Sequence, residues 1–415
     1  MPKQAIRTAV HADLHKPAWE QPQLHNRWHP DIPFSCTVQP GEVVKVECLD
    51  WTGGQIGNND SADDIKYCDL SRIHYLSGPI EVPGTEPGDV LVVEIQDVQP
   101  FPEQPWGYCA IFDKNNGGGF LDSHYPNAAK AIWDFEGIFC SSRHVPGVRF
   151  PGLIHPGIMA CKPSQEMLDM WNKREAELVD YHASIGTKGV VANLPNEKYA
   201  HAGAADAAIA ATVAKEGART IPPREHGGNC DIKNLSRGSK SYLPVYCKGA
   251  GLSIGDLHFS QGDGEISFCG AIEMAGIITI KLDIIKNGVA DMKMKNPMYI
   301  PGPVEPHYGP SRYLTFEGLS VDEHGTQHYL DVNVAYKQTC LQFIEYFKKF
   351  GYTGEQLYIL LSSAPVQGHL AAIVDIPNAC TTLGVPVDIF EFDVLPKEGG
   401  FAKVIESDCA LTSGK

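Results

Sequence analysis

The stretch IGDLHFSQGDGEISF, residues 254–268, sets three carboxylates and one imidazole between runs that otherwise read as buried strand. From Gly249 to Ile280 the chain carries no lysine or arginine, yet Asp256, Asp263, Glu265 and Glu273 all fall there. An uncompensated buried carboxylate is costly. Such acids must therefore reach solvent, borrow basic residues from elsewhere in the chain, or bind a metal ion. Side chains alternate along a strand, so Asp256 and His258 leave from one face. Gly262-Asp263-Gly264-Glu265 permits a sharp bend that returns two more carboxylates toward that face. Carboxylate with imidazole suits a divalent ion such as zinc, and an additional carboxylate suits a base toward a water held there. An open coordination position would lower that water's pKa to roughly 7.

A plainer reading stays open. Gly88-Asp89 carries the same dipeptide before a strand with no sign of chemistry, so Asp256 serves equally as a turn residue. Asp263-Gly264 is a good hairpin-turn pair. The spacing fails the EF-hand pattern, and no H-E-x-x-H is present.

Three other stretches qualify. REHGGNCDIKNLSRGSK (224–240) sets His226, Asn229, Cys230 and Asp231 beside Gly227-Gly228, where the backbone allows a small ligand to approach closely. Asn229 has a donor for a carbonyl oxygen, and Cys230 is a nucleophile if a base lies beside it. LDWTGGQIGNND (49–60) forms a glycine loop that presents Gln55 or Asp60. His155, between apolar residues and prolines, reads as a neutral, hydrogen-bonded histidine. There is no G-x-S-x-G elbow, and GGGF at 117–120 is no phosphate loop.

These residues need strands to hold them. QPGEVVKVECLD (39–50) and EPGDVLVVEIQD (86–97) each read as a tight turn launching a valine-rich strand. The 41 glycines and 30 prolines favour strands joined by turns over the first 300 residues. Helical patterns come later. Ser164 caps a helix whose inner face is Met167, Leu168, Trp171 and Leu178. An alanine-rich helix stops at Gly217, and Val334, Leu341, Ile344 and Phe347 line another that ends at Gly351. Thr353 and Gln356 form a capping box. The class is α+β and β-rich. It divides into an N-terminal β-sandwich part (1–150), a helical insertion (151–225), a central β part (226–330) and a C-terminal α/β part (331–415). Residues 178–224 protrude in this reading.

With 34 Lys+Arg against 50 Asp+Glu, the formal charge of -16 argues against nucleic acid or an anionic membrane as partner. The opening MPKQAIRTAVHADLH lacks the apolar core of a signal peptide, and no run is long enough for a membrane span. Twelve scattered cysteines with no C-x-x-C read as reduced thiols in the cytoplasm.

The stretch 226–276, HGGNCDIKNLSRGSKSYLPVYCKGAGLSIGDLHFSQGDGEISFCGAIEMAG, resembles the central signature of the formamidase/acetamidase family. SGPIEVPGTEPGDVLVVEI, RFPGLIHPGIMACKPS and NACTTLGVPVDIF are similar to that family too. The resemblance implies hydrolysis of formamide and other short aliphatic amides to the acid and ammonia. It also implies a jelly-roll-like sandwich, a homo-oligomer (a trimer or a multiple of it) and a cytoplasmic setting. On this reading Asp256, His258 and Asp263 hold the divalent ion. Glu265, with Asp263 and His258, is catalytic, and Gly228, Asn229 and Asp231 bind the amide. Two alternatives remain: Cys230 as nucleophile, or a metal-stabilised binding module without chemistry.

Overall fold

The computed structural model describes residues 6–186, 195–303 and 308–413. The two Pro-Gly-acid units behave alike. Gly41 (φ +85°) and Gly88 (φ +95°) take the left-handed turn that glycine adopts without a Cβ clash. Val43–Cys48 and Val90–Pro100 follow as strands. Both pair antiparallel with Gly276–Ile285, one on either side, inside a six-stranded sheet.

A second sheet of eleven strands is organised around Ala250–Gln261, all of whose residues are buried. Its first half pairs with Leu76–Glu81 and its second with Phe268–Met274. His155–Ala160 runs beside Ser253–His258. Leu252, Ile254 and Leu257 share one core with Val44, Val46, Leu91 and Ile278 of the first sheet. Burying each such side chain stabilises by roughly 1.5–3 kcal/mol. That core offsets the several kcal/mol that each poorly paired buried charge costs, and it removes solvent exposure as a way to satisfy Asp256.

Gln165–Ser184 is a helix whose Ser164 cap accepts from the Met167 amide at 3.2 Å. Leu168 and Trp171 are buried, but Leu178, expected on the same face, is 41% exposed, because the second half of this helix runs past the body. A strand, His155–Ala160, precedes it, and the alanine-rich helix Ala207–Glu216 follows. Residues 187–194 of the stretch expected to protrude lie outside the described residues.

The C-terminal part sets the helix Val332–Phe347 against a three-stranded sheet formed by Tyr313–Leu319, Gln367–Ala372 and Cys380–Pro386. The helix Gly354–Ser363 starts at the Thr353/Gln356 capping box and packs on Phe268–Met274 and Trp106–Ile111. No helix among the described residues is long and apolar enough to cross a membrane. The fold is β-rich, with several sheets and few helices.

Candidate functional site

Strand register draws one row of side chains across the large sheet. His155 pairs with His258, His258 with Glu273, and Glu273 with Tyr108. Residues opposite one another on neighbouring strands share a face, so a histidine pair and a glutamate lie side by side. His258 Nε2 stands 3.0 Å from Glu273 Oε2 and 3.3 Å from Asp256 Oδ1. Its other nitrogen, Nδ1, lies 3.0 Å from Gln261 Oε1 and 3.2 Å from His155 Nε2. The Gln261 amide nitrogen donates to the Asp231 carbonyl at 2.6 Å, which turns its oxygen toward His258. His155 Nδ1 is taken by the Leu153 carbonyl at 2.6 Å, and burial lowers this histidine's pKa to about 3. His258 therefore donates from Nδ1 and directs Nε2 at the carboxylates. Register slips flank the row, after His258 in one strand pair and before Glu273 in the other, and such bulges re-aim side chains.

The remaining acids arrive on strained backbone. Asp231 (φ +49°), Asp256 (φ +58°) and Glu265 (φ +46°) all adopt the left-handed region. That conformation persists in non-glycine residues only where the surroundings impose it, often at functional sites. Asp231 follows Gly227-Gly228, and bridge pairing of Asn229 with Ile158 pins this loop to the sheet. Asp231 Oδ1 lies 4.0 Å from His258 Nε2, and His74 Nε2 lies 3.9 Å from Asp256 Oδ2.

The charges sort themselves by environment. Burial opposes ionisation of Asp256, but the positive field of His258 and His74 outweighs it, so this carboxyl sits below its ordinary pKa. Burial would likewise depress His258, yet Glu273 and Asp256 raise it well above the usual imidazole range. Burial pushes Glu273 up to about 8. Glu265 is partly accessible from the cavity, but its walls keep bulk water away and also raise it to about 8. Burial and the neighbouring Glu265 and Asp256 raise Asp231 strongly. An Asp256–His258 ion pair is thus surrounded by three carboxyls whose pKa burial raises.

Asp231, Asp256, Glu265 and Glu273 line a cavity of ≈ 1060 Å³ together with Trp51, Phe268, Ile221, Phe120 and Tyr336. A divalent ion fits the cluster. His258 Nε2, Glu273 Oε2 and Asp231 Oδ1 are buried without a hydrogen-bond partner. Ligand atoms of Asp231, Asp256 and His258 lie within 4.8 Å of one another, as do those of His258, Glu265 and Glu273. A Cβ on Gly157 would fall 2.5 Å from Asp231 Oδ1 and 2.8 Å from Asp256 Oδ2, so the missing side chain leaves a hollow among them. Two oxygens and an imidazole nitrogen form a donor set that zinc accepts.

The sequence expectations fall unevenly on this geometry. Asp256, His258, Glu265 and Asp231 meet. Asp263 lines the same cavity but belongs to neither ligand group. It is ion-paired with Lys233 at 2.9 Å and accepts from the Gly368 amide at 2.9 Å. A basic residue from outside the 249–280 stretch answers this acid. Asn229 points the opposite way from expectation. Its amide nitrogen is spent on the Ile221 carbonyl at 2.9 Å, leaving Oδ1 as a buried acceptor. Gly228 pairs with Pro223 in a two-residue ladder. Cys230 donates to the Gly227 carbonyl at 3.1 Å, and burial with the adjacent Asp231 pushes its thiol up to about 11. From the 49–60 loop the cavity receives Trp51. Gln55 instead accepts from the Asp69 amide at 2.8 Å, and Asp60 pairs with Arg143 at 2.8 Å. His74 and Gln261 carried no signal that spacing could reveal. Glu273 shared the absence of nearby cations but gave no hint of its partner.

The Acetamidase/Formamidase family model matches residues 11–392. A Schizosaccharomyces pombe protein provisionally named a formamidase is 69% identical over 412 residues, covering 99% of this chain and 100% of its own. A formamidase of Methylophilus methylotrophus is 56% identical over 95% of this chain and 96% of its own. The solved structure of a gamma lactamase from Delftia acidovorans superposes with a TM-score of 0.94 at 55% identity, covering 97% of this chain and 98% of its own.

Proposed function

Because the chain belongs to the acetamidase/formamidase family and is an amidase, we propose that it hydrolyses formamide, and other short aliphatic amides, to the acid and ammonia at the Asp231/Asp256/His258/Glu265/Glu273 cluster. The observation that carries this reading is the convergence of buried His258 and carboxylate ligand atoms beside a largely apolar cavity. Burial raises the Glu265 carboxyl to about 8, which suits a group that exchanges protons near neutral pH. Glu265 takes a proton from water as the water oxygen bonds to the carbonyl carbon. The proton passes to the amide nitrogen, the C–N bond breaks and ammonia leaves. Negative charge developing on the carbonyl oxygen falls within this cluster, where losing one stabilising group typically lowers the rate about a hundredfold or more. A divalent ion such as zinc would be held by His258, Asp231 and Asp256, and when bound it supplies Lewis acidity toward the carbonyl and the water.

The raised Cys230 pKa, with no base hydrogen-bonded to its sulfur, favours water over the thiol as nucleophile. Ammonia release from formamide is the direct test. We expect chelation to abolish it and alkylation or Cys230→Ala to spare it. The reverse result transfers the role to the thiol, and no turnover of any short amide ends the proposal. Two large sheets over one core support a jelly-roll-like sandwich. Exposed Ile373, Val374 and Ile376 support assembly as a trimer or a multiple of it, which light scattering reads. Twelve free cysteines support a reducing, cytoplasmic setting.

A further inference from the structure

Formamide has three heavy atoms, whereas the cavity of ≈ 1060 Å³ lies at the upper end of what drug-sized ligands occupy. Besides the acids, the wall is formed by Trp51, Phe268, Ile221, Phe120, Tyr336 and Leu370, with Trp51 packed 5.2 Å from His74 beside them. The aromatic residues stand in pairs, Trp51 edge-on to Phe268 with centroids 6.4 Å apart and Phe120 tilted against Tyr336 at 6.0 Å. Such faces and edges accept another ring in stacked or edge-on contact. Nothing in formamide, whose acyl carbon bears only hydrogen, would use them.

One polar group can receive the amide end. Asn229 offers Oδ1, an acceptor with no protein donor. An amide N–H can donate to it. A ring carried on the acyl carbon would then be free to lie against the aromatic wall.

We propose that the chamber is an acyl-binding subsite and that primary carboxamides bearing an apolar ring, with benzamide the simplest, are substrates of this same site. The inference rests on the amidase reading above. Water oxygen bonds to the benzamide carbonyl carbon, the C–N bond breaks and the water's protons end on the departing nitrogen, so benzamide and water give benzoate and ammonium. Burying a ring in the chamber releases binding energy remote from the reacting bond, which can be directed to the transition state.

The experiment measures kcat/KM for formamide, acetamide, cyclohexanecarboxamide and benzamide with the full-length protein, by ammonia release. It repeats the series with Leu370→Trp, a change at a position 54% exposed where added bulk fills the chamber from its rim without disturbing the core. We expect benzamide within about tenfold of acetamide, because ring burial remote from the reacting bond offsets its bulk. We expect Leu370→Trp to lower the benzamide-to-formamide ratio at least tenfold. Formamide turnover with benzamide inert, or a ratio unmoved by Leu370→Trp, overturns the subsite and leaves the amidase reading standing. Failure of all four amides overturns both.

Discussion

Gly88-Asp89 and Gly255-Asp256 are the same dipeptide in two parts of one core, and their aspartates are equally buried at 4% and 3% exposure. In the first, glycine takes the left-handed turn (φ +95°). Asp89 then accepts from the Glu86 and Asn287 amides at 2.8 Å each and pairs with Lys286. In the second, Gly255 is needed for a different reason, because a Cβ would sit 2.8 Å from the Leu76 side chain, and Asp256 itself carries the left-handed backbone. Its partner is His258, which also faces Glu273 and Asp231. Both aspartates sit below their ordinary pKa. Asp89 is saturated by a lysine and two amides, so it holds a turn. Asp256 shares one imidazole with other acids, so its neighbours keep protons and unpartnered atoms. Burial alone does not make a reactive carboxylate. A shortage of cations does.

The largest expected contrast is catalytic. Asp256→Asn should lower kcat about 10²–10⁴-fold, while Asp89→Asn leaves kcat/KM within about twofold and destabilises the fold by about 1–3 kcal/mol through its amide partners. Formamide kinetics beside urea melts read both, and equal activity losses would erase the distinction. Next comes the space around each acid. Gly157→Ala pushes a methyl into the Asp231/Asp256 hollow and should reduce turnover on the order of a hundredfold. Gly88→Ala meets nothing within 4 Å and should cost about 1 kcal/mol of stability through its positive φ, with activity kept.

Smaller is the pH effect, which has opposite signs in the two regions. In chelated protein, Glu265 and Glu273 near 8 bind protons that the unfolded chain, near 4.5, has released. Their contribution is complete below about 4.5 and lost as pH rises toward 8 and beyond. Asp89 is depressed below 3.8, so its contribution is present above that value and lost as pH falls through the folded pKa. Thermal melts in EDTA from pH 5 to 9 should therefore fall, and added zinc should flatten the decline. The smallest effect belongs to Lys286→Met. The lysine is 62% exposed, so its loss should change stability by only about 0–1 kcal/mol and leave turnover alone.

Local rules made much of the framework legible. The twin Pro-Gly-acid turns, the Ser164 cap and the Thr353/Gln356 box read directly, because each involves residues only a few positions apart. The absence of lysine and arginine around Asp256 pointed to the right strand. His74 and Trp51 reach the cavity from nearly two hundred residues upstream, and pairing over that distance leaves no periodicity to read. The strand His155–Ala160 hid behind its prolines. The ion pair of Asp263 left no local signal because its lysine lies thirty positions back, and a side-chain amide such as that of Asn229 shows its direction only once one end has found a partner.

The bend that presents Glu265 is moored from the far end of the chain. Tyr336 donates to the Asp263 carbonyl at 2.7 Å, Gly368 to its carboxylate, and the Gly262 amide to Ser362 at 2.8 Å, while Lys233 spans Asp263 and the Val366 carbonyl. During synthesis the histidine row and most of the acids are in place before those moorings leave the ribosome. A nascent chain stalled near residue 330 would carry every acid of the cluster yet leave its base unanchored and its core unfinished, so activity should switch on late and abruptly as translation finishes.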